Sequence, residues 1–212
     1  TPGGVTYGQA VRGNAGGLHT ALSRLSALGY TWDTTSQISS ASLTGFDIAI
    51  QAGVEMDSSN SSYTFPSRFG TLIYSASQWQ NTIGAEYLAE DSQIPAGLYR
   101  YLGLGSPLDA DHELLDDVAH IHPPSYFGLA DLGTTLFKGE FKNSSCDSFD
   151  NHPVVTALGA AGNGIIVAGS SDIFSDLGMG DGASAWLSQD AWVEEHKNDS
   201  TRLWDNSIAW LS

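Results

Sequence analysis

Basic residues are scarce in this chain of 212 residues: 5 arginines and 3 lysines (Lys138, Lys142, Lys197) stand against 17 Asp and 7 Glu, leaving a formal charge of −16. Such a surface repels phosphate backbones, and no basic cluster offers a local exception, so nucleic acid is excluded as a partner. Long apolar runs are missing too. No stretch approaches the roughly 18 consecutive apolar residues that a membrane span needs. Cys146 is the only cysteine, which excludes an internal disulfide and leaves the redox compartment open. The opening Thr1-Pro2-Gly3-Gly4 has neither the basic start nor the apolar run of a secretory signal.

What is present suits one substantial core. The length and a hydrophobic share of 41% fit a single domain over residues 1–212, which could be part of a longer chain. The excess of Asp over Lys points to a surface adapted to salt or cations, or selected for solubility. Asn-x-Ser triplets at Asn60, Asn143 and Asn198 match a secreted or cell-surface glycoprotein, although a Ser-rich chain also produces them by chance.

Leu18, Ala21, Leu22, Leu25 and Leu28 recur at helical spacing, and Gly29 stands where a helix C-cap belongs. Tyr30-Thr31-Trp32 reads as a short strand, and Phe46 to Ile50 as a second one ending at Gly53. Gly70 to Tyr74 reads as a buried strand, and Gly164 to Gly169 has the continuous apolar character of a parallel strand buried on both faces. A last helix is predicted from Leu203, Trp204, Ile208 and Leu211, with Asp199 or Ser200 as its N-cap. Helices between strands imply right-handed parallel crossovers.

The order of these pieces resembles the non-catalytic relatives of class I glutamine amidotransferases, found in surface proteins and gliding-motility auxiliaries. Gly29-Tyr30 followed by Leu43-x-x-Phe46-Asp47-Ile48-Ala49-Ile50 is similar to the family's opening, and Gly70 to Ser75 to its central strand. His112-Glu113-Leu114-Leu115-Asp116-Asp117-Val118 looks like its "HPLxxGV", with Glu113 for Pro and Asp117 for Gly. Pro153-Val154-Val155, Gly162 to Phe174 and Asn206 to Leu211 are similar to "PVV … GxGRVVVxGDSxxF … NxxxWL"; Asn163-Gly164-Ile165 lacks the Arg, and Ser170 replaces the Asp. The resemblance implies an α/β, flavodoxin-like open parallel sheet with helices on both faces.

No catalytic residue is assigned. Cys146 follows Asn143-Ser144-Ser145 and precedes Asp147, whose charge opposes a thiolate. Ser75 follows the central strand, but Tyr74 and Ala76 flank it without the glycines of a nucleophile elbow. In an open parallel sheet, ligands gather outside the strands' C-terminal ends, so Ser75, Ser77, Gln78, Ser170, Ser171 and Asp172 are the candidate ligand-binding residues. Capping of the next turn is the competing role for Ser171 and Asp172. His120 and His122, with His112 nearby, form a weak metal candidate that lacks a third ligand at a defined spacing. The run Asp109/Asp111/Glu113 offers oxygens to Ca2+ without EF-hand spacing; no other cofactor is expected. Trp186 and Trp192 could stack on sugars, with core packing as the bland alternative.

These readings favour a non-enzymatic ligand-binding or protein-interaction module of a secreted or cell-surface protein, with a protein or carbohydrate partner. The alternatives are a hydrolase using Ser75 or a His-based metal site, and a structural subunit of a surface assembly. The 16 excess negative charges repel one another in the compact state. The melting temperature is therefore expected to rise between low and molar NaCl. A flat profile would mean that local pairing or bound cations already neutralise them.

Overall fold

The computed structural model describes residues 17–35, 38–56, 68–82, 111–118, 121, 128–129, 133–139, 152–169, 171–179 and 199–212. Its elements are helix α1 (His19–Ala27), strands β1 (Ile48–Met56) and β2 (Arg68–Ser75), a 3-10 turn (Ala76–Gln78), helix α2 (Trp79–Thr82) and a second 3-10 turn (Glu113–Leu115). They continue with strands β3 (Thr134–Gly139), β4 (His152–Ala160) and β5 (Asn163–Ala168), a third 3-10 turn (Ser171–Phe174), and helices α3 (Asp176–Met179) and α4 (Ser200–Leu211).

The five strands form one sheet in the order β1-β2-β5-β4-β3, and every neighbouring pair is antiparallel. The open parallel, flavodoxin-like α/β sheet with helices on both faces is thus overturned. The physical reason is clearest at β4 and β5. Only the turn Ala161-Gly162 joins them, with Ala160 opposite Asn163, whereas a parallel crossover needs about a dozen residues or more. β5 is indeed buried on both faces, but by different means on each side.

Side-chain alternation sorts the strand residues into two sets. Ile50, Ile73, Ile166 and Ala157 lie in one cross-strand row. Of these, Ile73, Ile166 and Ala157 are buried with Ala21 and Leu25 of α1 and Leu203, Trp204, Ile208, Trp210 and Leu211 of α4, and Ile50 packs against that cluster. Both longer helices therefore cover the same face. Leu72 and Val167, from the adjacent row, are buried on the other face with Ala49, Tyr74, Leu129 and Ile165, and Leu43, Val54, Trp79 and Leu158 pack against them.

Both helices match the sequence reading. Gly29 takes φ +89°, its N–H donates to Ser26 O, and the Tyr30 N–H donates to Leu25 O, which is the Schellman closure. Asp199 stands at the N-cap position of α4, although its side chain makes no capping hydrogen bond there, and Leu203, Trp204, Ile208 and Leu211 are all buried. Tyr30-Thr31-Trp32, by contrast, forms no strand. The first strand starts at Ile48 and runs through a register shift between Ala52 and Val54 to Met56.

The N-terminus of α1 has no local cap, since Leu18 carries no polar side chain. The Thr20 N–H donates instead to the Asp176 carboxylate at 2.6 Å, and the Asp176 N–H donates to Gly17 O at 2.7 Å. A carboxylate at this position satisfies an orphan donor and matches the helix dipole. Arg24 pairs with Asp205 of α4, which raises the guanidinium pKa. Arg24 is partly exposed, so the pair contributes about 1 kcal/mol or less.

Helix α4 holds the core chiefly by apolar burial, which predicts a large cost for shortening one of its fully buried side chains. Ile208→Ala should lower unfolding stability by about 2–5 kcal/mol in a chemical denaturation experiment. A change under about 0.5 kcal/mol would mean that α4 is not packed on the sheet as described.

Candidate functional site

Ser75 closes β2 and opens onto the 3-10 turn, with the Ala76 N–H donating to Asp47 O at 2.8 Å. Its backbone lies at φ −61°, ψ 135°, an ordinary extended conformation and not the strained turn of a nucleophile elbow. The side chain is 3% exposed, and its Oγ accepts from the Gly164 N–H at 3.3 Å. This hydroxyl is a structural acceptor inside the sheet.

Around it the chain builds a polar cluster. Ser77 Oγ donates to Asn163 Oδ1 at 2.9 Å, and Gln78 Nε2 donates to the same oxygen at 2.5 Å. Asn81 Nδ2 in turn donates to Gln78 Oε1 at 2.6 Å. Ser77, Asn81 and Asn163 are exposed and Gln78 is half-buried. Every group in this cluster is a neutral amide or hydroxyl. The half-buried indole of Trp79 adjoins Gln78 in sequence and stacks on Tyr74 with ring centroids 6.5 Å apart.

Gly164 fixes this end of the sheet. A Cβ there would run into the indole of Trp210 and lie 3.0 Å from Leu158 O, so glycine is required by close approach. The Gly162 N–H donates to Trp210 O at 2.7 Å, which ties the hairpin to the end of α4.

Strand direction divides the edge that the sequence reading expected to hold all six candidates. Ser75, Ser77 and Gln78 come together, and the partner they share is Asn163 at the start of β5. Ser171 lies beyond the other end of β5, where it is buried at the head of the third 3-10 turn. Because Tyr74 pairs with Ile165 and Thr71 with Ala168, the two ends are separated by about 10 Å of strand or more. Asp172 belongs to the same turn as Ser171, and its side chain and all of Ser170 lie outside the described residues. Asn163 was missed as a site residue. Its sequence signal was only its position beside Gly162 at a turn.

His112 Nδ1 accepts from the Leu114 N–H at 3.2 Å, and its ring lies tilted against Trp210 with centroids 5.9 Å apart. It caps the second 3-10 turn. His120, His122, Cys146, Asp109, Trp186 and Trp192 lie outside the described residues. A groove of about 350 Å³ is lined by Asp111, His112, Glu113 and Asp116. Arg202 reaches Asp116 and Asp117 at 3.6 and 3.2 Å and offsets part of the negative charge. Among the described residues, no three His, Cys, Asp or Glu side chains are placed to hold a metal ion. No described helix is long and apolar enough to cross a membrane.

No family model, curated protein or solved structure matches this chain.

The contact between Ser75 and Gly164 makes its own prediction. Ser75→Ala leaves a buried N–H without that acceptor and should destabilise the protein by about 1 kcal/mol, at the low end for such a loss because the bond is long. Equal or greater stability of the variant would show that the bond contributes nothing.

Proposed function

We propose that this chain is a non-enzymatic binding module of a secreted or cell-surface protein, and that it meets its partner at the exposed end of β2 and β5. The observation that carries this reading is the hydrogen-bonded set Ser77, Gln78, Asn81 and Asn163, which presents neutral donors and acceptors on the surface. Such groups give orientation and specificity to a bound partner without reacting with it. The burial of Ser75 and its acceptance of the Gly164 N–H argue against its use as a nucleophile, which must present its oxygen to a substrate and its proton to a base. The Asn-x-Ser triplets at Asn60, Asn143 and Asn198 support an extracellular setting. Kinship with non-catalytic glutamine-amidotransferase-like domains rests on the order of the motif stretches, since the strand directions differ from those that kinship implies.

A serine-reactive fluorophosphonate tests the non-catalytic reading. Intact-mass analysis of the incubated protein is expected to show no adduct. An adduct that disappears in Ser75→Ala would overturn the proposal and favour a hydrolase.

A further inference from the structure

We infer that the Ser77, Gln78, Asn81 and Asn163 cluster, with Trp79 next to Gln78 in the chain, is a binding site for a neutral carbohydrate. The inference rests on the reading of this surface as the contact site and names the chemistry of its partner.

The argument starts from the hydrogen bonds already made. Asn163 Oδ1 accepts from both Ser77 and Gln78, which sets the orientation of the Asn163 amide. Gln78 Oε1 accepts from Asn81, which sets the other two amides in the same sense. An amide carries two N–H donors and a carbonyl acceptor with two lone pairs. Among the described residues, both N–H groups of Asn163 Nδ2 remain without a partner at one end of the chain of amides. The Asn81 Oδ1 remains without one at the other. The cluster therefore offers donors at one end and an acceptor at the other, with its internal geometry fixed.

A sugar fits this pattern because each hydroxyl both donates and accepts, and adjacent hydroxyls can meet a donor and an acceptor together. Ionic ligands fit less well. The cluster holds no cation for a phosphate, sulfate or carboxylate, and a net charge of −16 raises the cost of bringing an anion to the surface. Trp79 supplies the apolar element. Its indole is pinned against Tyr74 yet half-exposed, and an aromatic ring with a polar neighbourhood is the surface that the C–H face of a pyranose covers.

Asn163→Asp is the selective variant. A carboxylate still accepts from Ser77 and Gln78, while both outward N–H donors are lost. The experiment presents the whole chain to an array carrying neutral glycans (glucans, mannans, galactans and chitin oligosaccharides), sialylated and sulfated glycans, and extended peptides. Melting temperatures are measured in parallel. We expect retention on at least one neutral glycan series, weakened at least tenfold by Asn163→Asp at unchanged melting temperature. If Asn163→Asp melts early, Asn81→Ala, at an exposed position outside the sheet, serves in its place. Retention only on charged glycans or on peptides, still sensitive to these variants, would overturn the sugar assignment and leave the contact surface standing. No retention, or retention indifferent to both variants, would overturn both.

Discussion

The contact on which this end of the molecule depends is that of the Trp210 indole with the bare backbone of Gly164. Without a side chain at residue 164, the final turn of α4 can lie directly on the β4–β5 hairpin, and Trp210 O takes the Gly162 N–H. The same glycine gives its own N–H to Ser75, which joins β5 to the end of β2. Asn163, one residue earlier, gathers Ser77 and Gln78 from the segment that follows β2. His112 joins the group through the tilted contact of its ring with the Trp210 indole, while capping its own turn. Four stretches distant in sequence are thus held at one point by packing and by three kinds of hydrogen bond. The exposed cluster inherits its order from this buried support.

Helix positions were legible in the sequence because their signals are local. The apolar spacing of Leu18, Ala21, Leu22 and Leu25 and of Leu203 to Leu211 sets the face that packs on the core, although Leu28 is exposed, and Gly29 supplies the left-handed residue that ends α1. Strand positions were legible in part. Ile48–Ile50, Gly70–Tyr74 and Gly164–Ala168 all fall in strands, whereas neither β3 nor β4 is read as a strand from the sequence. Strand direction was not legible from these runs, because an apolar run buried on both faces reads the same whether its neighbours run with it or against it. The one local signal of direction was the Gly162-Asn163 step between Val154–Leu158 and Ile165–Ala168, which fits a hairpin. Direction decides the site: parallel strands would bring Ser75 and Ser171 to one edge, while antiparallel strands bring Ser75 to Gly164.

The N-terminus of α1 shows why local rules stop short. No residue near Leu18 caps the helix, and the missing acceptor comes from Asp176, 156 residues beyond Thr20. Short helices are marginal on their own, so α1 depends on partners distant in the chain. Arg24 makes the same connection to Asp205, and Asn206 Nδ2 donates to both Leu114 O and Asp116 O. Helix α4 therefore organises α1 and the second 3-10 turn as well as the sheet. Its apolar face supplies most of the free energy, and its polar face fixes the register of what surrounds it.

This division of labour bears on binding. Ordering a loose, rotamer-rich side chain on a ligand costs about 0.5–1.5 kcal/mol, and a surface of free amides would incur that cost repeatedly. Gln78 and Asn163 are already held by each other and by Ser77, and their backbones belong to a turn and a strand fixed by Ser75, Gly164 and Trp210. Much of the ordering has been completed in folding, offset by burial of α4 on the sheet. A weakly interacting partner such as a neutral sugar gains most from that preorganisation, because its few hydrogen bonds exchange nearly evenly with those to water and leave little free energy to spare for arranging the protein.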